Sequence, residues 1–358
     1  MTEFLRRPQH LYQDPLDRVW IACAEHIGFR IERSAEVYAS TDGRGTVLIG
    51  TDEILDPDDC LAQMILHELC HALVEGEAGE TQVDWGLDNI SKHHRWREHA
   101  CLRLQAYLAD SAGLRDFFAP TTDFRVTFWT SLPIDPLWAS REAGGRREPS
   151  CVAARAAVWR AAQPRWAAPL RQALAASAAI ARWVPGVVKT DKAAMPSLWA
   201  TAGLPAQPHP GGHSTIAAYH ASHRCGDCAW WFSHHRRSRC RHAPEIAVAG
   251  DTPACARWEP QAELDCQTCG ACCREAYDAV ELAPREEVIR RHPDLVVKVD
   301  GRNKLRREAA RCAALLGGNS AEEVYSCRIY PDRPRTCRDF TRGSEHCLEA
   351  RRKVGLSI

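Results

Sequence analysis

Apolar residues recur at helical spacing through the first third of the chain, alternate briefly, and thin out where cysteines begin to crowd. The periodicity predicts a helix over Asp17 to Ile27 and a β-hairpin over Glu36 to Gly50, turned at Thr41-Asp42-Gly43-Arg44-Gly45. Within the hairpin, Thr46-Val47-Leu48-Ile49-Gly50 reads as a strand. Farther on, Leu61, Ile65, Leu69 and Ala72 share one side of a second helix, with His67 and His71 on nearly the opposite side. Asp56 is placed to cap that helix, Pro57 suits its first position, and Asp58 and Asp59 favour the positive end of its dipole. Gly76 can end it. A third helix is suggested by Trp96 to Leu108, where His94, Glu98, Cys101 and Gln105 count to one polar face.

These elements predict an α+β domain over 11–124, preceded by a tail over residues 1–10. An irregular piece with Pro133, Pro136 and Gly144-Gly145 follows, and then an alanine-rich stretch, Cys151 to Val184, broken at Pro164. That stretch reads as two helices, so 125–184 is a helical extension expected to cover the first domain. Residues 185–223, rich in Pro, Gly, His and Ser, read as a linker. Two small cysteine-rich, metal-stabilised modules complete the chain, over 224–260 and 261–350.

Composition narrows the setting. The chain has 358 residues, with 46 lysines and arginines against 46 aspartates and glutamates, so charge points to neither nucleic acid nor membrane. No apolar run is long enough to span a bilayer, and Met1-Thr2-Glu3-Phe4-Leu5-Arg6-Arg7 lacks a signal-peptide core, so a cytoplasmic protein is expected. In that compartment 17 cysteines are not expected to form a disulfide framework. Cys23, Cys60, Cys70, Cys101 and Cys151 are scattered, as small buried hydrophobes are; the other twelve lie between Cys225 and Cys347 and are metal-ligand candidates.

The second helix carries His67-Glu68-Leu69-Cys70-His71, an HExxH sequence. Residues four apart on a helix stack their side chains on one face, so the two imidazoles can grip one Zn²⁺ ion. Glu68, beside the first, can serve as general base to a metal-bound water. The third ligand is expected to be Glu98, with His94 and His99 as rivals. This arrangement resembles the gluzincin branch of the zincin metallopeptidases, on the strength of His67, Glu68 and His71. The resemblance implies a third ligand from a Glu on the next helix and a strand, here Thr46 to Gly50, able to pair with an extended peptide.

Cys225-Gly226-Asp227-Cys228, with Cys240 and Cys255, offers four thiolates in a short segment, suited to tetrahedral Zn²⁺ or an iron–sulfur cluster. Few aliphatic residues lie between them, so folding should depend on the metal. With Trp230-Trp231-Phe232 and Thr252-Pro253-Ala254-Cys255-Ala256-Arg257-Trp258-Glu259-Pro260, the module is similar to the small 4Fe-4S domains of accessory subunits of benzylsuccinate-synthase-like enzymes. A zinc ribbon is the competing assignment. The basic run from His234 to Arg239 reads as a solvated loop.

Cys266, Cys269, Cys272 and Cys273 pack four thiols into eight residues, and Cys312, Cys327, Cys337 and Cys347 follow. Adjacent Cys272 and Cys273 do not easily serve one tetrahedral ion, so one is open to a second metal or a bridging position. The CxxCGxCC run and the CxIYxxRPxxCRxF segment from Cys327 to Phe340 resemble the YkgJ-type cysteine-cluster family, a zinc- or iron-chelating domain. The same cluster occurs in flagellin lysine methylases.

The sequence thus points to a metal-binding protein: a zinc-dependent hydrolase with a peptide or protein substrate, fused to zinc- or iron–sulfur-binding cysteine clusters. The other reading is a non-catalytic redox protein, or a methyltransferase-like accessory protein, with a degenerate zincin domain. The intact Glu68 favours the hydrolase, because a purely structural histidine pair does not need it.

Overall fold

In the computed structural model the described residues are 9–88, 92–140, 142–184, 196–204, 207–211, 214–215, 222–235, 237–320 and 323–358. Most of the proposed tail and most of the 185–223 linker lie outside them. The chain divides into two compact units, one formed by 1–132 with 160–205, the other by 133–159 with 206–358.

In the first unit, helix α1 (Pro15–Ile27) is capped by Asp14, whose side chain accepts the Leu16 N–H at 2.8 Å, and closes on left-handed Gly28. Strands β1 (Arg30–Ser34), β2 (Ala39–Thr41) and β3 (Thr46–Gly50) form one sheet in the order β1-β3-β2. β3 runs parallel to β1 and antiparallel to β2. Its Thr-Val-Leu-Ile-Gly sequence is buried on nearly every residue because it is flanked on both sides. The strand expected to meet an extended peptide is therefore the centre of the sheet, and β2 is the edge.

Helix α2 (Leu61–Glu75) starts four residues later than Asp56-Pro57 suggest. The reason lies in Asp59, which binds the hydroxyls of Tyr38 and Thr121 and the Asp56 N–H, and so holds this segment in a turn. The effective cap is Gln63, whose side chain accepts the Cys60 N–H at 2.7 Å. Gly76 ends the helix as expected, and Arg160 donates to the Leu73 and Val74 carbonyls at its C-terminus. α2 packs against α1 and against helix α3 (Arg95–Asp110). Leu61 through Val74 are buried except for half-buried His67, so α2 is a core helix rather than an amphipathic one. Trp20, Ile65, Leu66, Leu69, Leu102 and Phe118 are almost fully excluded from solvent around it.

The expected helical hairpin is divided. Helix α4 (Pro149–Ala161) belongs, apart from its last two residues, to the second unit, whereas helix α5 (Pro164–Trp183) packs on α1. Trp20 Nε1 donates to Ser177 Oγ of α5 at 3.0 Å.

The second unit is a chain of short pieces. Strands β4 (Trp231–His234), β5 (Arg237–Cys240) and β6 (Ala243–Ala247) make an antiparallel meander. Beyond them come a hairpin of four-residue strands (Val296–Val299 with Arg302–Leu305), two-residue ladders, one-turn helices and a final helix, α6 (Glu345–Lys353). Its small cores are built around cysteines: Cys225, Cys228 and Cys240 pack with Trp230, Val248, Leu264 and Leu348. Buried polar links stand in for aliphatic mass. Arg351 donates to Glu259 at 2.9 Å and to Ser357 at 2.8 Å, and Arg155, 1% exposed, donates to the Leu137 and Gly355 carbonyls at 2.8 Å each. Among the described residues no helix is long and apolar enough to cross a membrane.

Candidate metal centres

α2 and α3 lie side by side and bring three polar groups to one point. His67 Nε2 and His71 Nε2 are 3.1 Å apart. Glu98 Oε1 lies 3.5 Å from His67 Nε2, and Glu98 Oε2 lies 3.1 Å from His71 Nε2. The two rivals point elsewhere: His94 Nδ1 accepts the Asp88 N–H at 2.8 Å, and the His99 ring is stacked on Phe128 at 3.8 Å. Cys101 also approaches, with one ligand atom each from His67, His71 and Cys101 falling within 4.8 Å of one another. Its sulfur, however, contacts the Nδ1 edge of His67 at 3.7 Å, and burial beside Cys70 holds it as a neutral thiol. Glu98 faces both Nε2 atoms and is the better third donor.

A second layer fixes the first. Gln105, 1% exposed, donates its amide N–H to the Phe118 carbonyl at 2.5 Å. Its amide oxygen must then face His67 Nδ1, which it does at 2.9 Å. The ring proton therefore sits on Nδ1, and Nε2 presents a lone pair to the shared point.

Glu68 follows His67 directly on α2. It is buried, and its Oε2 accepts the indole N–H of Trp85 at 2.8 Å. Trp85 reaches it from a strained turn, with φ 58° and ψ 14°, and Asp84 before it also has positive φ. A bulky side chain in that region costs about 1–3 kcal/mol and persists only where neighbours hold it. Here Asp84 Oδ1 accepts from Ser40 Oγ at 2.7 Å and from the Thr41 N–H at 3.1 Å, and Asp42 bridges to Val83. A cavity of about 560 Å³ opens over this group, lined by His67, Glu68 and Glu98 with Tyr38, Ala39 and Phe124.

Electrostatically the point favours positive charge. Burial pushes His71 down, but Glu98 above all, then Glu68 and Glu75, bring it up to about 9. Burial likewise works to raise Glu98, yet His71 and His67 hold it down to about 2. A proton on His71 thus fills the place that a divalent ion would take, and two imidazoles with a carboxylate are a donor set that fits Zn²⁺. His71 Nδ1 and Glu75 Oε1 are buried atoms without a hydrogen-bond partner among the described residues.

In the second unit Cys225, Cys228, Cys240 and Cys255 are all buried. Burial, reinforced by the other thiols of the group, pushes Cys225 and Cys228 up to about 12 and Cys255 to about 11. Such thiols release their protons when a metal binds. His209, 4% exposed, joins them, and the sequence reading missed it inside the linker. Its Nδ1 accepts the Gly211 N–H at 2.9 Å, so Nε2 carries the proton and donates toward Cys225 Sγ at 3.3 Å. His209 is therefore a hydrogen-bond donor to the sulfur rather than a ligand in its place.

Cys266 and Cys269 begin and end a one-turn helix capped by Asp265. Gly270 follows in the left-handed region, where a Cβ would meet the Tyr325 ring at 2.9 Å. Cys272 and Cys273 have sulfurs 3.9 Å apart. Cys312 and Cys327 lie on short ladders, Cys337 on the helix Arg335–Asp339, and Cys347 on α6. Among the described residues, no three of these twelve thiols are as tightly gathered as the 4.8 Å group of the first unit.

Residues 265–353 match the family described as "Putative zinc- or iron-chelating domain", named for its CxxCxxCC pattern. No curated protein and no solved structure matches the chain. The match supports metal binding by the C-terminal segment.

Proposed function

We propose that this chain is a zinc-dependent hydrolase of peptidase type joined to thiolate metal centres. The observation that carries the reading is the convergence of His67, His71 and Glu98 beneath a cavity that Glu68 also lines. A Zn²⁺ ion held by these three groups would supply an acidified water. Trp85 anchors one oxygen of Glu68, leaving the other to take a proton. β2 supplies the docking edge: Tyr38 and Asp42 bond to β3, so ladder alternation turns the Ala39 amide and carbonyl toward the cavity that Ala39 lines. An extended peptide can pair there.

A second reading, a metal-binding or redox protein without hydrolase activity, is favoured by the restriction of the family match to 265–353. In either case the cysteine segments bind zinc or iron.

Metal content and peptide-library cleavage, measured together on wild type, Glu68→Gln and His67→Ala, test the proposal. Glu68→Gln should keep the first-unit zinc and lose about 10²–10⁴-fold in turnover, the usual worth of a general base. His67→Ala should lose both. No cleavage by zinc-loaded wild type would move the assignment to the second reading.

A further inference from the structure

We propose that the eight cysteines of 265–353 form two separate four-thiolate centres, Cys266, Cys269, Cys272 and Cys347 holding one and Cys273, Cys312, Cys327 and Cys337 the other. The proposal rests on the reading that this segment chelates zinc or iron. Each centre would take one Zn²⁺ ion or one iron–sulfur cluster, since either accepts four thiolates and eight exceed the capacity of one.

The division follows the packing. Cys266 and Cys269 stand three residues apart on a single turn and share a face. Cys269 packs in one cluster with Ala271, Ala276 and Ala350, and Cys272 lies against it. Cys347 is one turn before Ala350 on α6, so that helix presents Cys347 to the same side.

Cys273 lies against a different cluster, formed by Leu282, Leu305, Ala314 and Ile329 together with Cys312, and Cys327 lies against it too. The ladders Arg307↔Cys312 and Leu315↔Cys327 deliver those two thiols. Cys337 arrives on the helix Arg335–Asp339, whose Thr336 hydroxyl donates to the Glu281 carbonyl at 3.5 Å, next to Leu282 of that cluster.

The 3.9 Å contact would by itself suit two ligands of one ion. The other six divide: Cys269 lies in one cluster, with Cys266 on its helical turn and Cys347 a turn from Ala350 of that cluster, while Cys312 and Cys327 belong to the other, with Cys337 on the helix held beside it. Cys272 and Cys273 are then the seam, a single peptide bond joining two centres.

The test uses the full chain in three forms: Cys269→Ser/Cys347→Ser, Cys312→Ser/Cys327→Ser, and all four changes together. Each double variant should lose half of the metal that the quadruple variant loses. If either double loses all of it, and wild type agrees, there is one centre and the division is wrong. A quadruple variant with unchanged metal would instead refute chelation by this segment. Metal loss through unfolding is separated by ¹¹³Cd NMR of the substituted wild type. Two thiolate resonances should disappear in the quadruple variant; a single one disappearing overturns the proposal.

Discussion

Replacing Gln105 by leucine isolates what the second layer contributes to the first-unit centre. The change keeps the volume and removes both the bond to the Phe118 carbonyl and the bond to His67 Nδ1. Each partner left buried and unpaired costs about 1–3 kcal/mol, so the metal-free variant should be measurably less stable in denaturant. The larger interest is the imidazole. Without the amide oxygen, nothing in the amide's place keeps the proton on Nδ1, and the ring can present N–H instead of a lone pair to the metal. Loss of such an outer-layer partner typically weakens binding by about 10–100-fold, or about 1.4–2.7 kcal/mol. Competitive titration against a zinc chelator reads this directly, with the cysteine centres of the same chain as an internal reference. Gln105→Glu should recover much of the affinity, because a carboxylate also accepts from Nδ1–H. Wild-type zinc affinity in a folded Gln105→Leu protein would refute the idea that this amide sets the tautomer.

Two further outcomes follow from buried charges. Trp85→Phe keeps an aromatic ring but removes the indole donor to Glu68 together with the five-membered ring, so the chain should lose at least about 1.5–3 kcal/mol in denaturant melts with first-unit zinc intact. Unchanged stability would mean that the bond contributes nothing in solution. Arg351→Met leaves the Glu259 carboxylate, 1% exposed, without its cation and should cost about 3–5 kcal/mol. Adding Glu259→Leu should restore most of that loss, and a double variant no better than the single one would show that packing, not charge, was disturbed.

The parts of the structure legible in the sequence were those written in local spacing. His67 and His71 fix their own geometry at four residues apart, and Gly76 marks its helix end without help from elsewhere. The other end misled because Asp59 is claimed by Tyr38 and Thr121, neighbours 21 and 62 residues away. Glu98 and Gln105 appeared as a polar stripe, yet their different duties depend on which ring atom each meets. Trp85 gave no signal, since its value lies in a strained turn that points an indole at Glu68. His209 was hidden by its proline- and glycine-rich surroundings, and the division of the cysteines by long-range packing that CxxCxxCC does not encode. The order of strands was equally non-local: Thr46 to Gly50 looks like any edge strand until β1 pairs with its far side.

The second unit is assembled from two stretches of chain separated by part of the first, and time enters here. Arg155 and the Gly355 carbonyl that receives it are 200 residues apart. On a ribosome adding ~5–20 residues per second, the guanidinium waits roughly 10–40 s for that partner to be made. During the wait the rest of its unit, thiols included, is still being translated. Closure of this contact thus waits until Gly355 has been made, and a chain that stalls before that residue would leave Arg155 and its helix without this acceptor.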